Sequence, residues 1–382
     1  MVAKRPLKIL HLVGDREDAG GVLSVIRNLH NASAADGWQH IVWVNQQYKE
    51  TRQPALEYRY SRSVKAESTR HLDLLRQAAP ATRELIDLWQ EEHFDIIHAH
   101  SRGTLLVVLL FAWLTRHPVL FTNHNYANRT GLYRWAAKRK HMHKVVLTPN
   151  MANHYGLNSK NGKVRTISAC YGDEFLQHPL VERRRFDDPD QPIRLVGVGS
   201  VIGWKKWDLV VEAIYRLPDA LRHRVDFSIW GPTLQLPEAQ AFAVSLNQMI
   251  ERYDLGSQIH LRGSTTNVSG ELLKSDVFLL PSTNEPCSIA LMEALALGLP
   301  VIVSKSGGCV DIVKPDCGLH FQPDDPDSLR RCLEETITSP TIFNPPADIR
   351  NTVKQRCATE VFGAYEKLYQ ELVQLRPAKQ DK

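Results

Sequence analysis

SDVFLLPSTNEPCSIALMEALALGLPVIVSKSGG, residues 275–308, reads as strand, irregular loop, helix, strand and Gly-Gly loop. Within it SIALMEALAL is made of strong helix formers. Pro286 suits a first turn, so the helix is expected to begin near Cys287 or Ser288 and to stop at Gly298. The amides of Cys287, Ser288 and Ile289 then point out of the helix start, at the carboxyl edge of DVFLL, and make a seat for an anion. Two carboxylates flank that seat, Glu285 in the loop and Glu293 on the helix. They make sense beside an anion if it is part of a larger ligand whose hydroxyls need an acceptor on each side, the layout of a nucleoside diphosphate sugar.

The same alternation of strand and helix runs outward through the chain, twice over, as in doubly wound α/β units. KILHLVG, HIVWVN, DIIHAH, PVLFTNH, KVVLTP and VRTIS form a first series; IRLVGVGS, VDFSIWG, IHLRG, DVFLLPS and PVIVSKS form a second. Each series opens with a strand that runs into glycine and then a helix, which lets backbone amides approach an anion. HPLVERRRFDDPDQP, rich in proline and charge, separates them as a linker. The expected organisation is an N-terminal Rossmann-like domain over 1–178, a linker over 179–192, a second Rossmann-like domain over 193–357, and a helix and tail over 358–382. The helix, ATEVFGAYEKLYQELVQL, has apolar spacings of three and four and is expected to cross back to the first domain; the tail after Arg376 is expected to fray.

At 382 residues, 43% hydrophobic and 23% charged, the composition is that of a two-domain globular protein. No apolar run is long enough to span a membrane, and TLLVVLLFAWL, 104–114, reads as a buried helix. The N-terminal ILHLVG leads into charged residues and reads as a first strand, not a signal peptide. Six scattered cysteines without C-x-x-C pairs argue against a disulfide framework or structural zinc and for a reducing cytoplasm. Residues 1–180 hold 24 Lys and Arg against 15 Asp and Glu, and the remainder 23 against 27, so the net +5 conceals a basic N-terminal half. Much of that excess lies in YRWAAKRKHMHK, 133–144, a pattern that holds anionic lipid, a phosphorylated acceptor or nucleic acid, or else is a solvated helix face.

E-x7-E followed by GLPVI and Gly-Gly closely resembles the retaining glycosyltransferases of family 4, which have the GT-B fold of two Rossmann-like domains facing across a cleft. GG after the first strand, DIIHAHS, TNH, VGVGSVIGWKKWDLVVEA, IWGP, IHLRGS, PSTNEP and CGLHFQPDD continue the resemblance over nearly the whole chain. It implies that Glu285 contacts the donor sugar near the reacting centre, that Glu293 binds the ribose hydroxyls, and that the amides of Cys287, Ser288 and Ile289 hold the distal phosphate and sugar. Lys205 would neutralise the diphosphate, Gly20 and Gly21 would close over the phosphates, His124 would reach the donor sugar, and Arg262 would edge-bind the base mostly through its backbone. The implied donor is a UDP- or GDP-linked sugar and the acceptor a glycan or lipid-linked molecule in surface polysaccharide assembly. An anionic membrane surface is a further implied partner, placing the enzyme in the cytoplasm at the inner face of the membrane; nucleic acid is not. The other readings of such a site are a sugar-nucleotide epimerase and a non-catalytic sugar-nucleotide-binding protein of a larger assembly.

Two departures stand out. Ser200 occupies the place of a family arginine, for which Arg16 or Lys206 is a candidate substitute, and ISACYGD replaces the family's usual hinge sequence. Cleaving the anomeric C–O bond leaves negative charge on the diphosphate, so the catalyst needs cations and amide dipoles there. In an enzyme of the kind resembled, the departing phosphate oxygen takes the acceptor proton, which fits the want of an obvious Asp or Glu base in the N-terminal loops. The resemblance further implies metal independence, with no cofactor. Trp204 and Trp207 are expected as packing residues. His98 and His100 are expected to face opposite sides of a strand, which disfavours a metal pair. Glu285→Ala is expected to abolish transfer and leave folding unchanged.

Overall fold

Two separate parallel sheets organise the chain, seen in a computed structural model that describes residues 5–17, 20–51, 56–67, 71–157, 162–181, 186, 188 and 191–376. Met1–Cys170 and Arg356–Lys382 form one compact unit, and Tyr171–Gln355 the other. The chain thus crosses between units within the ISACYGD stretch and returns just before the last helix. Residues 182–185, 187 and 189–190 of the linker and the tail from 377 lie outside the described residues.

In the first unit β1 (Lys8–Leu12), β2 (Gln39–Asn45), β3 (Glu57–Ser61), β4 (Ile96–Ala99), β5 (Val119–Asn123), β6 (Met142–Val146) and β7 (Val164–Thr166) lie in the order β3-β2-β1-β4-β5-β6-β7. In the second, β8 (Ile193–Val198), β9 (Val225–Trp230), β10 (Ile259–Gly263), β11 (Val277–Leu280), β12 (Val301–Ser304) and β13 (Gly318–Phe321) lie in the order β10-β9-β8-β11-β12-β13. The direction of winding reverses between β1 and β4 and again between β8 and β11, and open α/β sheets bind ligands beyond the carboxyl ends of the strands at such a reversal.

β1, β2, β4, β5, β6 and β7 and β8 to β12 coincide with the runs read from sequence; of these the interior strands β1, β2, β4, β5, β6, β11 and β12 are buried almost end to end, as strands covered on both faces are. β3 and β13 were not anticipated as strands. Both are edge strands, with EYRYS and GLHF only partly buried, so neither shows a buried-strand signature.

The helix Ala358–Gln374 packs on the helix Gly21–Ser33 and on β4, burying Val361, Phe362, Tyr365, Leu368, Tyr369 and Leu372. The apolar helix Arg102–Thr115 is started by a capping box between Ser101 and Thr104, and Leu105, Val107, Val108 and Phe111 are buried. It is buried on one side only, since Trp113 and Leu114 are exposed. Among the described residues no helix is long and apolar enough to cross a membrane. None of the six cysteines forms a disulfide, and all are buried.

Candidate functional site

The loops that leave β8 and β11 bring together two residues 80 apart in sequence. Lys205 Nζ donates to Glu285 Oε2 at 2.9 Å, with side chains only 10% and 11% exposed. The ammonium also sits 4.3 Å from the centroid of the half-exposed Trp204 ring. Trp207 is fully buried in the core of the second unit, and its indole Nε1 donates to the carbonyl of Ser200, pinning the loop after β8.

Glu285 is fixed through its backbone as well. Its carbonyl accepts from the amide of Gly308 at 2.8 Å, and a Cβ on Gly307, where φ is +56°, would fall 2.5 Å from that carbonyl oxygen. Only glycine allows both the left-handed turn and this approach, so the Gly-Gly at the end of the opening stretch clamps the carboxylate loop.

The helix beyond it spans Ile289–Ala296, one or two residues later than expected, because Ser288 is its N-cap and accepts from Leu291 N at 3.2 Å. The chain leaves the helix at Gly298, where φ is +83°. The helix start therefore lies beside Glu285, with its dipole favouring negative charge there. Glu293 follows within the helix and is half-buried. Burial, with the nearby Glu174 charge second, pushes its pKa up to about 8. Glu174 was not read from sequence; it lies in the short helix Glu174–Gln177, 119 positions before Glu293, with no local motif to mark it.

Of the suggested stand-ins for the absent arginine, Lys206 is bound to Asp324 at 2.7 Å, which raises its pKa and turns it to a different partner. Arg16 is exposed in the first unit. Arg262 lies at a register slip between β9 and β10, and its guanidinium donates to Ser228 Oγ at 3.3 Å. It lines a cavity of about 390 Å³ with Asp226, Trp230, Glu271 and Lys274.

In the first unit Gly20 precedes the helix Gly21–Ser33 with φ of +85° and open space where a Cβ would stand. In the loop between β1 and Gly20 lies Asp15, half-buried, with its carboxyl pushed up to about 7 by burial and by the charges of Glu67 and Glu17. The sequence showed no obvious base in these loops, and Asp15 is the half-buried carboxyl they contain. Its place just past the first strand's glycine was a legible signal.

The histidine expectation is also corrected. Residues two apart on an extended strand share a face, and His98 and His100 have ring centroids 4.0 Å apart. Ligand nitrogens of His11, His98 and His100 lie within 4.8 Å of one another. His124, just beyond β5, is half-buried, and burial pushes its pKa down to about 4. Asn125–Arg129, which follow it, line a cavity of about 810 Å³ together with Glu67 and Arg102.

The basic stretch 133–144 divides in two. Arg134, Lys138, Arg139 and Lys140 are exposed, with Arg139 4.5 Å from the Trp135 ring centroid. Lys144 is fully buried, donates to the Tyr133 carbonyl at 3.0 Å, and has its pKa pulled down to about 7 by burial. Between pH 7 and about 10.4 the folded chain has lost a proton that the unfolded chain keeps, so stability rises with pH by up to ~1.4 kcal/mol per unit. Denaturant titrations across that window should show this slope, and Lys144→Met should flatten it.

The two halves of the sequence match two family profiles, Glycosyltransferase Family 4 over residues 19–163 and Glycosyl transferases group 1 over residues 181–356. The chain belongs to the group 1 and family 4 glycosyltransferases. It is 26% identical over 170 residues to the lipopolysaccharide glucosyltransferase WaaG of Escherichia coli, covering 44% of this chain and 43% of that one. It is 26% identical over 250 residues to the 2-deoxystreptamine N-acetyl-D-glucosaminyltransferase of Niallia circulans, covering 58% and 61%. The chain thus spans about half the length of these curated relatives. The crystal structure of Anabaena HepE in complex with UDP shares the fold with a TM-score of 0.77 at 15% identity, over 96% of this chain and 100% of that one. The α/β architecture is that of GT-B glycosyltransferases.

Proposed function

We propose that this protein is a retaining glycosyltransferase that moves a sugar from a UDP- or GDP-linked donor onto a glycan or lipid-linked acceptor. The observation that carries the reading is the buried Lys205–Glu285 pair beside the start of the helix Ile289–Ala296, at the reversal between β8 and β11. As the glycosyl bond parts, negative charge grows on the diphosphate. Lys205 and the helix-start amides of Cys287, Ser288 and Ile289 are the groups assigned to stabilise it. Glu285 both orients Lys205 and accepts from hydroxyls of the donor sugar, and Glu293 accepts from the ribose.

Gly20 and Gly21 are assigned to the phosphates, Ser200 to the loop beside them, Arg262 to the base edge and His124 to the donor sugar. The names of relatives support a sugar-nucleotide reaction: WaaG is a lipopolysaccharide glucosyltransferase, and HepE is crystallised with UDP. Surface polysaccharide assembly at the cytoplasmic face of a membrane is the setting proposed. The exposed cations of Arg134–Lys140, beside Trp135, are the feature suited to anionic lipid.

A thermal-shift titration with nucleoside diphosphates and their sugars tests the donor class. A true ligand at 100 times its dissociation constant stabilises by ~2.7 kcal/mol. No shift with any UDP or GDP compound would refute the reading, and product formed without acceptor would point to an epimerase.

A further inference from the structure

Four histidines from three strands and one strand exit share a single face of the first sheet. Ile9 pairs with His40 and His11 with His98, so His40, His11, His98 and His100 all project to the side covered by the helices Gly21–Ser33 and Ala358–Gln374. Three of these rings and that of His124 are joined nitrogen to nitrogen. His40 Nδ1 meets His11 Nε2 at 2.9 Å, His11 Nδ1 meets His100 Nε2 at 2.9 Å, and His100 Nδ1 meets His124 Nε2 at 3.0 Å. At the inner end His40 Nε2 lies 3.0 Å from Ser33 Oγ. His98 stands beside the row, held by Thr122 Oγ and the Tyr369 hydroxyl.

The protons in this row can be counted. Ser33 Oγ lies 2.7 Å from the Leu29 carbonyl oxygen, which cannot donate, so the single hydroxyl proton is spent there. Ser33 must therefore accept from His40 Nε2–H. A neutral imidazole has one N–H, so His40 Nδ1 is bare and accepts from His11 Nε2–H. The same step repeats through His100, which accepts from His124 Nε2–H. His124 is left with a lone pair on Nδ1, and it alone of the four is not fully buried.

We propose that Ser33, His40, His11 and His100 are positioning residues that hold His124 as the Nε2–H tautomer, so that it meets its ligand as a hydrogen-bond acceptor and favours a sugar hydroxyl over a carboxylate. The second half of this statement rests on the assignment of His124 to the donor sugar. Burial keeps all four rings neutral, pushing each pKa well below its usual value, which is the condition for a one-proton count. A shared metal ion fits this row less well. Two imidazole nitrogens on one tetrahedral zinc stand ~3.3 Å apart given Zn–N bonds of about 2.0–2.1 Å, whereas His11 and His100 are at hydrogen-bond distance.

The test uses the full chain with 15N-labelled histidine and long-range proton–nitrogen correlation spectra, with His124 assigned by loss of its signals in His124→Gln. The expected wild-type pattern is a protonated Nε2 and a bare Nδ1 on His124. In Ser33→Ala the inner acceptor is gone, His40 has no partner for Nε2–H, and the row should reverse so that His124 carries Nδ1–H; Ser33→Thr should restore the wild-type pattern. An Nδ1–H on His124 in the wild type overturns the proposal even if no variant folds. So does a His124 signature unmoved in folded Ser33→Ala, or stoichiometric zinc bound to these rings in the purified protein. Calorimetry with UDP-glucose and UDP-glucuronate then reads the selectivity. The wild type should prefer the hydroxyl compound by about tenfold, the ~1.4 kcal/mol of a modest hydrogen bond, and Ser33→Ala should narrow that ratio; an unchanged ratio after a reversed row removes the selectivity claim. If neither compound binds, the UDP branch of the nucleotide-sugar reading fails while the spectra still decide the relay.

Discussion

Glu285→Gln is expected to lower the rate of sugar transfer by about 10²–10³-fold, the scale of losing one group that stabilises the transition state, while the fold persists. The amide keeps an oxygen for Lys205 but removes the charge that holds the ammonium in place, so the loss should fall mainly on kcat. Glu285→Ala is a different experiment. It leaves a cation that is 10% exposed without its partner, and breaking a buried pair costs about 3–5 kcal/mol. The first expectation, that alanine spares folding, is thereby revised: the alanine variant should lose both activity and several degrees of melting temperature. Transfer at wild-type rate by a folded Glu285→Gln protein would remove this residue from the chemistry.

The second large effect concerns protons. In the free protein Glu293 has its pKa held up at about 8 by burial and the Glu174 charge, so at pH 7 it is mostly neutral. Ribose hydroxyls donate best to an ionised carboxylate, so nucleotide binding should draw the pKa down and release up to one proton per site. Affinity should then strengthen as pH rises toward 8, by at most tenfold per unit, and level off above it. The sign for stability is opposite: the neutral form's contribution is full below about 4.3 and is lost as pH rises through about 8. Calorimetry in buffers of different ionisation enthalpy measures the release directly, and Glu293→Gln should abolish it. Binding that is independent of pH and buffer would exclude Glu293 from the nucleotide contact.

The architecture was legible because doubly wound sheets repeat one signal, a short apolar run followed by a helix, and eleven of the described strands fall in runs read from the sequence. β3 and β13 escaped because EYRYS and GLHF are half wet and carry no apolar continuity, while the edge strands β7 and β10 were read in spite of similar exposure. In the second unit the carboxylates and the lysine could be named from their motif, but the contact between Lys205 and Glu285 could not, since β8 and β11 become neighbours only through the sheet order. Composition misled at Lys144, a cation by type that packs among Phe121 and Tyr133. His98 and His100 were misjudged for a different reason: the strand period of two places them together, and the row with His11, His40 and His124 depends on pairings across four strands.

The interleaving of the two units has a consequence for biosynthesis. A ribosome delivers β4 and its histidine face long before it delivers Tyr365 and Tyr369, which cover that face. At about 5–20 residues per second, the intervening chain takes on the order of 10–50 seconds to emerge. The unit translated second can therefore complete its core first, and the nascent first unit waits, with one sheet face unsealed, for the last helix to arrive.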